Sequence, residues 1–248
     1  MFKIFSQFSE KKLMRAISTR LGYSPKKIFL TTSPFFTIIM FVLFVRLHKK
    51  GGLLMKKHLF LTGPACTGKS ALLRDALGEK LLQAGGYCTA MDLGDNGALL
   101  GCSLFPAAVS GGAEGFERER FLDFSTFPPQ HNNEVFRTTG VRLLEESAWY
   151  PFAVIDEFGG FDLVIPQFRK ALETFLSSDL PVIGIVKSKA DSDQLRRLLG
   201  LGERYSEFLD RLHEELARDI DTEILVLTED NRNHAAASIA AWAKQYIS

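Results

Sequence analysis

The stretch KHLFLTGPACTGKSALLRDAL, Lys57–Leu77, limits the fold more than any other part of the chain. A short apolar run ends at Gly63. Gly63–Ser70, GPACTGKS, then keeps the spacing G-x-x-x-x-G-K-[ST], and Leu72, Leu73, Ala76, Leu77 and Leu81 follow at helical intervals up to Gly85-Gly86, which reads as a helix stop. Strand, glycine loop and helix in that order form the context in which this spacing wraps a polyphosphate. Backbone N–H groups of such a loop point inward, and the helix adds its partial positive charge. Bulky side chains at Gly63 or Gly68 would obstruct the path. The candidate binding segment is therefore Gly63, Pro64, Ala65, Cys66, Thr67, Gly68, Lys69, Ser70 and Ala71. Lys69 is placed to reach the β- and γ-phosphates of ATP or GTP, and the Ser70 hydroxyl to ligate Mg²⁺. Cys66 stands where many such loops have glycine; it reads either as a redox-sensitive thiol or as a tolerated small residue.

A phosphate loop of this kind calls for a second strand tipped with an acid. YPFAVIDEFGGFDL supplies one: Phe152–Ile155 is a continuous apolar run, as a strand buried on both faces should be. Asp156 at its carboxyl end is placed to hold Mg²⁺, and Glu157 to orient or deprotonate an attacking water. The adjacent pair points to hydrolysis. The alternative is that one of the two acids caps the helix that follows.

Elsewhere strands and helices alternate. LPVIGIVKS and TEILVLT read as buried strands; VIPQFRKALETFLSS reads as a helix with Val164, Phe168, Ala171, Leu172 and Phe175 toward the core. A helix over NEVFRTTGVRLLEESAWY would be capped by Asn132 or Asn133, and NHAAASIAAWAKQYIS closes the chain. LGERYSEFLDRLHEELARDI is an amphipathic charged helix with a solvated face. Asp95-Asn96-Gly97 marks a tight turn between Tyr87–Leu93 and Leu99–Phe105, predicting a β-hairpin insertion beside the site. Residues 110–131 read as glycine-rich and irregular loops. The alternation implies an α/β domain with a mostly parallel, doubly wound sheet. Ser188-Lys189-Ala190-Asp191 is similar to the [N/T]KxD element that reads guanine in regulatory GTPases, and reads equally as a helix start.

Charge divides the chain. Ten of the 30 Lys/Arg but only one of the 29 acids, Glu10, precede Met55, which leaves 20 basic against 28 acidic residues in 55–248. The acidic body gives no sign of a nucleic-acid face, although net charge does not report local patches. The three cysteines, Cys66, Cys88 and Cys102, lack CxxC spacing and fit a reducing compartment, the cytoplasm. Within residues 1–54, the uncharged run Ile28–Val45, extended by Arg46 and Leu47, is long enough to span a bilayer and would anchor a cytoplasmic domain to the membrane. Against that, Lys49-Lys50-Gly51-Gly52 can be encoded by codons containing AAGGAGG, a bacterial ribosome-binding sequence suitably spaced from Met55. The expectation is that Met55 is the true start, with 55–248 as the working domain.

Four stretches in order, LFLTGPACTGKSALL, GYCTAMDLGDNGALLGCSL, VIDEFGGFDLVIPQFRKAL and LTEDNRN, resemble the small P-loop nucleoside-triphosphatases of thermophiles, whose vertebrate relative is called cancer-related nucleoside-triphosphatase. The resemblance covers most of 55–248. It implies a RecA-like fold and slow, Mg²⁺-dependent hydrolysis of nucleoside triphosphates to diphosphate and phosphate. It also implies Gly63–Ser70 as phosphate loop, Asp156 on the metal and Glu157 on the water. Asn231 and Arg232 match the family's Asn-Arg pair, so Arg232 would approach the nucleotide and stabilise transition-state charge; the alternative is a surface ion pair at a helix start. The chain departs from the pattern at Gly160 (family lysine), Phe161 (methionine) and Asp162 (glutamate), and at Met91-Asp92, where an acid usually follows Thr89 directly. Two other classes remain open on the sequence: a nucleotide-gated regulatory or chaperone-like module with an unidentified protein partner, and a kinase with an acceptor pocket under 110–131.

Overall fold

The computed structural model describes residues 55–110, 112 and 117–247. The candidate membrane span at 28–47 lies outside them; among the described residues no helix is long and apolar enough to cross a membrane.

Eight strands form one sheet: β1 (His58–Thr62), β2 (Ala84–Leu93), β3 (Leu99–Pro106), β4 (Glu119–Asp123), β5 (Gln130–His131), β6 (Phe152–Phe158), β7 (Val182–Val186) and β8 (Thr222–Val226). They lie in the order β5-β4-β3-β2-β6-β7-β1-β8. The run from β2 to β8 is parallel throughout, and β3, β4 and β5 extend it antiparallel from β2. The α/β, mostly parallel architecture is as the alternation implied. β7 lies directly between β1, which leads into the phosphate loop, and β6, which ends in the acid pair.

The longer helices are α1 (Lys69–Leu77), α2 (133–146, with π geometry over Phe136–Gly140), α3 (Pro166–Leu176), α4 (Lys189–Leu199), α5 (Glu203–Arg218) and α6 (Arg232–Tyr246). Side chains on a strand alternate between its two faces, and both faces of this sheet are covered. Leu59 and Leu61 of β1 pack with Leu72, Leu73 and Leu77 of α1 and with Ile239 and Trp242 of α6. Phe60, between them, faces the other way, into a cluster with Phe136 of α2, Phe168 and Leu172 of α3 and Leu209 of α5. Burying each side chain of this size contributes roughly 2 kcal/mol, so α1 is fixed under the loop by its apolar face.

Two expectations need correction. Gly85-Gly86 does not stop the first helix. α1 ends at Leu77, where Gly78 takes φ 53°, and a 3-10 turn, Gly78–Gln83, leads into β2. Both glycines lie inside β2 for want of space: a Cβ on Gly85 would stand 2.8 Å from Ser147 Cα, and one on Gly86 2.1 Å from the Val154 carbonyl oxygen. The expected hairpin is present: β2 and β3 pair antiparallel from Tyr87–Pro106 to Leu93–Leu99 around Asp95-Asn96-Gly97, and β2 also joins the parallel sheet by pairing with β6 from Ala84 to Cys88. Residues 110–131, expected to be irregular, contribute β4, whose pairing with β3 includes a register shift after Cys102, and β5, which pairs with β4.

Candidate active site

The loop between β1 and α1 is shaped by the turn that follows β8. Leu227 N–H donates to the Thr62 carbonyl (2.7 Å), and a Cβ on Gly63 would come within 2.8 Å of the Leu227 carbonyl oxygen. Gly68 has φ 75°, a left-handed backbone, and a Cβ there would stand 3.0 Å from Arg232 Nη1. Glycine is thus required at both ends of the motif by conformation and by neighbours. Cys66 is the sole described non-glycine residue at positive φ (62°), and its side chain is exposed. That backbone explains why glycine suits the position.

Lys69 is buried and folded back on the loop, its Nζ donating to the Gly63 (2.9 Å) and Pro64 (2.7 Å) carbonyls. α1 carries no acidic residue in its first turn, which leaves its positive end uncompensated. One turn of chemistry further in, Ser70 Oγ donates to Asp156 Oδ1 at 3.0 Å, spanning the width of β7. Asp156 is 3 % exposed. Burial pushes its carboxyl up to about 7; the Ser70 hydrogen bond opposes the rise, and the neighbouring Glu157 adds to it.

Glu157 occupies a β-bulge. Asp156 pairs with Ile185 and Phe158 with Val186, so Glu157 is the extra residue on β6. Such a bulge re-aims a side chain. Glu157 Oε2 accepts a hydrogen bond within an ion pair from Lys187 Nζ, at the end of β7. Burial works against the Lys187 charge, but Glu157 outweighs it and the ammonium is held above the usual lysine range. Asp162, 3 % exposed, accepts from Gly159 N–H (3.1 Å); burial raises its carboxyl to about 6 despite that bond. α5 braces the same turn: the Tyr205 hydroxyl donates to the Gly159 carbonyl at 3.1 Å. The amphipathic helix thus has an inner face directed at the residues behind Glu157.

Arg232 opens α6 and donates from Nη1 to the Thr67 carbonyl at 3.1 Å. Asn231 holds the turn before it, donating from Nδ2 to the Val226 carbonyl (2.7 Å) and accepting from Thr228 N–H (2.8 Å). So Lys69, Ser70 and Asp156 lie together, Arg232 covers the loop from the α6 side, and Glu157 is engaged with Lys187. Ser188 caps α4, its Oγ accepting from Asp191 N–H at 3.1 Å, and Lys189 pairs with Asp210 on α5 at 2.5 Å. The stretch with a likeness to a guanine reader is built as a helix start. Lys187 belongs to no motif in the sequence; its only mark there is to follow the buried run VIGIV directly. Among the described residues no cluster of three or more His, Cys, Asp or Glu could hold a metal ion by itself.

An eight-stranded, mostly parallel α/β sheet with a phosphate loop after its first strand defines a P-loop nucleoside-triphosphatase class of protein. The family model described as NTPase matches residues 58–240, and the chain belongs to that family. Among solved structures it is similar to THEP1 from the hyperthermophile Aquifex aeolicus, with a TM-score of 0.50 and 17 % identity over 73 % of this chain and 96 % of that one. At that identity the likeness speaks to the fold. Comparison with the curated proteins returns no match. The resemblance drawn from the four sequence stretches is borne out at the level of family and fold.

Proposed function

We propose that the protein hydrolyses nucleoside 5′-triphosphates, ATP or GTP among them, to diphosphate and phosphate with Mg²⁺. The observation that carries this reading is the 3.0 Å contact between Ser70 Oγ and Asp156 Oδ1, two hard oxygen donors from segments far apart in sequence. Their chemistry suits Mg²⁺, which takes few protein ligands and keeps several waters. A buried carboxylate whose charge is disfavoured by burial also fits a cation partner. Bound there, the ion would neutralise charge on the β- and γ-phosphoryl oxygens.

In this reading the loop amides and the α1 terminus bind the β-phosphate, and Lys69 exchanges its two loop carbonyls for β- and γ-oxygens. Water attacks the γ-phosphorus, the bond to the β,γ-bridging oxygen breaks, and Glu157 takes the water's proton. The diphosphate carries away the bridging oxygen, and Arg232 offsets charge developing there. The cytoplasm, where such nucleotides are abundant, is the compartment the reading implies.

Phosphate release measured across the common triphosphates, with Mg²⁺ and with chelator, tests it. Lys69→Ala should abolish nucleotide binding or turnover. Glu157→Gln should keep binding and lose turnover by about 100-fold or more, in the range for a positioned general base. Hydrolysis at the wild-type rate by the glutamine variant would remove Glu157 from the catalytic role.

A further inference from the structure

Glu157 cannot serve as a base while its carboxylate is committed to an ammonium, and the structure commits it to Lys187. Lys187 is set where it could have a second partner. It directly follows β7, the strand between the phosphate-loop strand and the acid strand. Its backbone N–H continues the ladder by donating to the Phe158 carbonyl (2.8 Å), and His213 Nε2 lies 3.0 Å from its carbonyl oxygen. The backbone is therefore fixed while the long side chain crosses to β6. The Lys187 side chain passes close to Gly160, where the resembled pattern carries lysine: a Cβ there would meet Lys187 Cε at 3.4 Å, an ordinary contact distance. Buried Asp162 adds a second negative charge nearby and favours the ammonium electrostatically.

We propose that Lys187 reads the γ-phosphate: its ammonium is held by Glu157 in the free protein, passes to the γ-phosphoryl oxygens of a bound triphosphate, and thereby releases Glu157 for the attacking water. The inference rests on the reading of Glu157 as the base. A triphosphate offers three γ-oxygens with more negative charge than one carboxylate. A diphosphate has no γ-group and leaves the pair intact. Lys187 would then be a positioning residue that makes the base available only behind the correct substrate. It would also be a specificity residue, because the exchange contributes to binding of triphosphate alone. The ion pair and the γ-phosphate compete for one ammonium, so removing the Glu157 charge should strengthen triphosphate binding through Lys187.

Titration calorimetry of the full chain with Mg²⁺ and a β,γ-imido triphosphate, and separately with the diphosphate, gives the affinity ratio that tests this. Lys187→Met should lower the triphosphate-to-diphosphate ratio by about tenfold or more and raise KM for the triphosphate by a similar factor, more than it changes kcat, whereas Lys187→Arg should retain most of the ratio. Glu157→Gln should tighten triphosphate several-fold and leave diphosphate unchanged, and the double variant Lys187→Met/Glu157→Gln should lose that gain. An unaltered ratio in Lys187→Met, or no gain in Glu157→Gln, overturns the proposal. If Lys187→Met does not fold, Glu157→Gln and Lys187→Arg still decide it, because both keep a side chain in the gap. Normal turnover by Glu157→Gln would defeat the assignment of the base alone; the binding ratios would still judge Lys187.

Discussion

Asp162 is a carboxylate with almost no exposed surface that accepts from the Gly159 N–H, and it has a measurable signature. Burial raises its pKa from 3.8 to about 6 in the folded chain. Between those values the native state keeps a proton that the unfolded state has lost, so stability falls as pH rises through the window. The displacement corresponds to roughly 3 kcal/mol once the group is fully ionised in both states. Asp162→Asn keeps an oxygen acceptor for Gly159 N–H. It should melt several degrees higher than the parent at pH 7.5 and about the same near pH 4, as calorimetric scans at both values would show. Arg232 presents a different case, because its guanidinium closes the space over Gly68 and bonds to Thr67. Arg232→Met should lower kcat about tenfold or more with a smaller effect on KM, as expected of a charge that acts late in the reaction.

At the scale of elements, α4 shows how a motif can be reread by its surroundings. Ser188 caps the helix and Asp191 lies in its first turn. Ser188→Ala should cost about 1 kcal/mol in urea denaturation, and Asp191→Ala should leave any preference for GTP over ATP where it was. The elements legible in the sequence were those that announce themselves by burial on two faces or by glycine spacing: β1, β6, β7 and the loop into α1. The strand β4 was missed because ERFLD is short, charged at three of five positions and paired through a shifted register, so neither alternation nor a continuous apolar run marks it. Gly85-Gly86 misled for a physical reason: a glycine pair punctuates local structure, but here it makes space for Ser147 and Val154, which are distant in sequence. Lys187 was invisible for a related reason. Its meaning depends on which strand lies between β1 and β6, and strand order is a tertiary fact.

For the molecule as a whole, the family match at 58–240 falls entirely within 55–248. Met55–Ser248 produced alone should therefore unfold cooperatively and hydrolyse nucleotide with the kcat of the full chain; loss of either property on removing 1–54 would give those residues a part in the domain. The closing helix binds the architecture together. Arg232 at its start touches the phosphate loop, while Trp242 near its end is fully buried, donates from Nε1 to the Lys57 carbonyl at 3.0 Å and packs edge-on to Phe152. The chain has two tryptophans, and the other, Trp149, is 87 % exposed. The molecule thus carries one shielded and one hydrated indole, so quenching by iodide should silence Trp149 and leave an emission that reports on the helix whose first residue rests on the turn between β1 and α1.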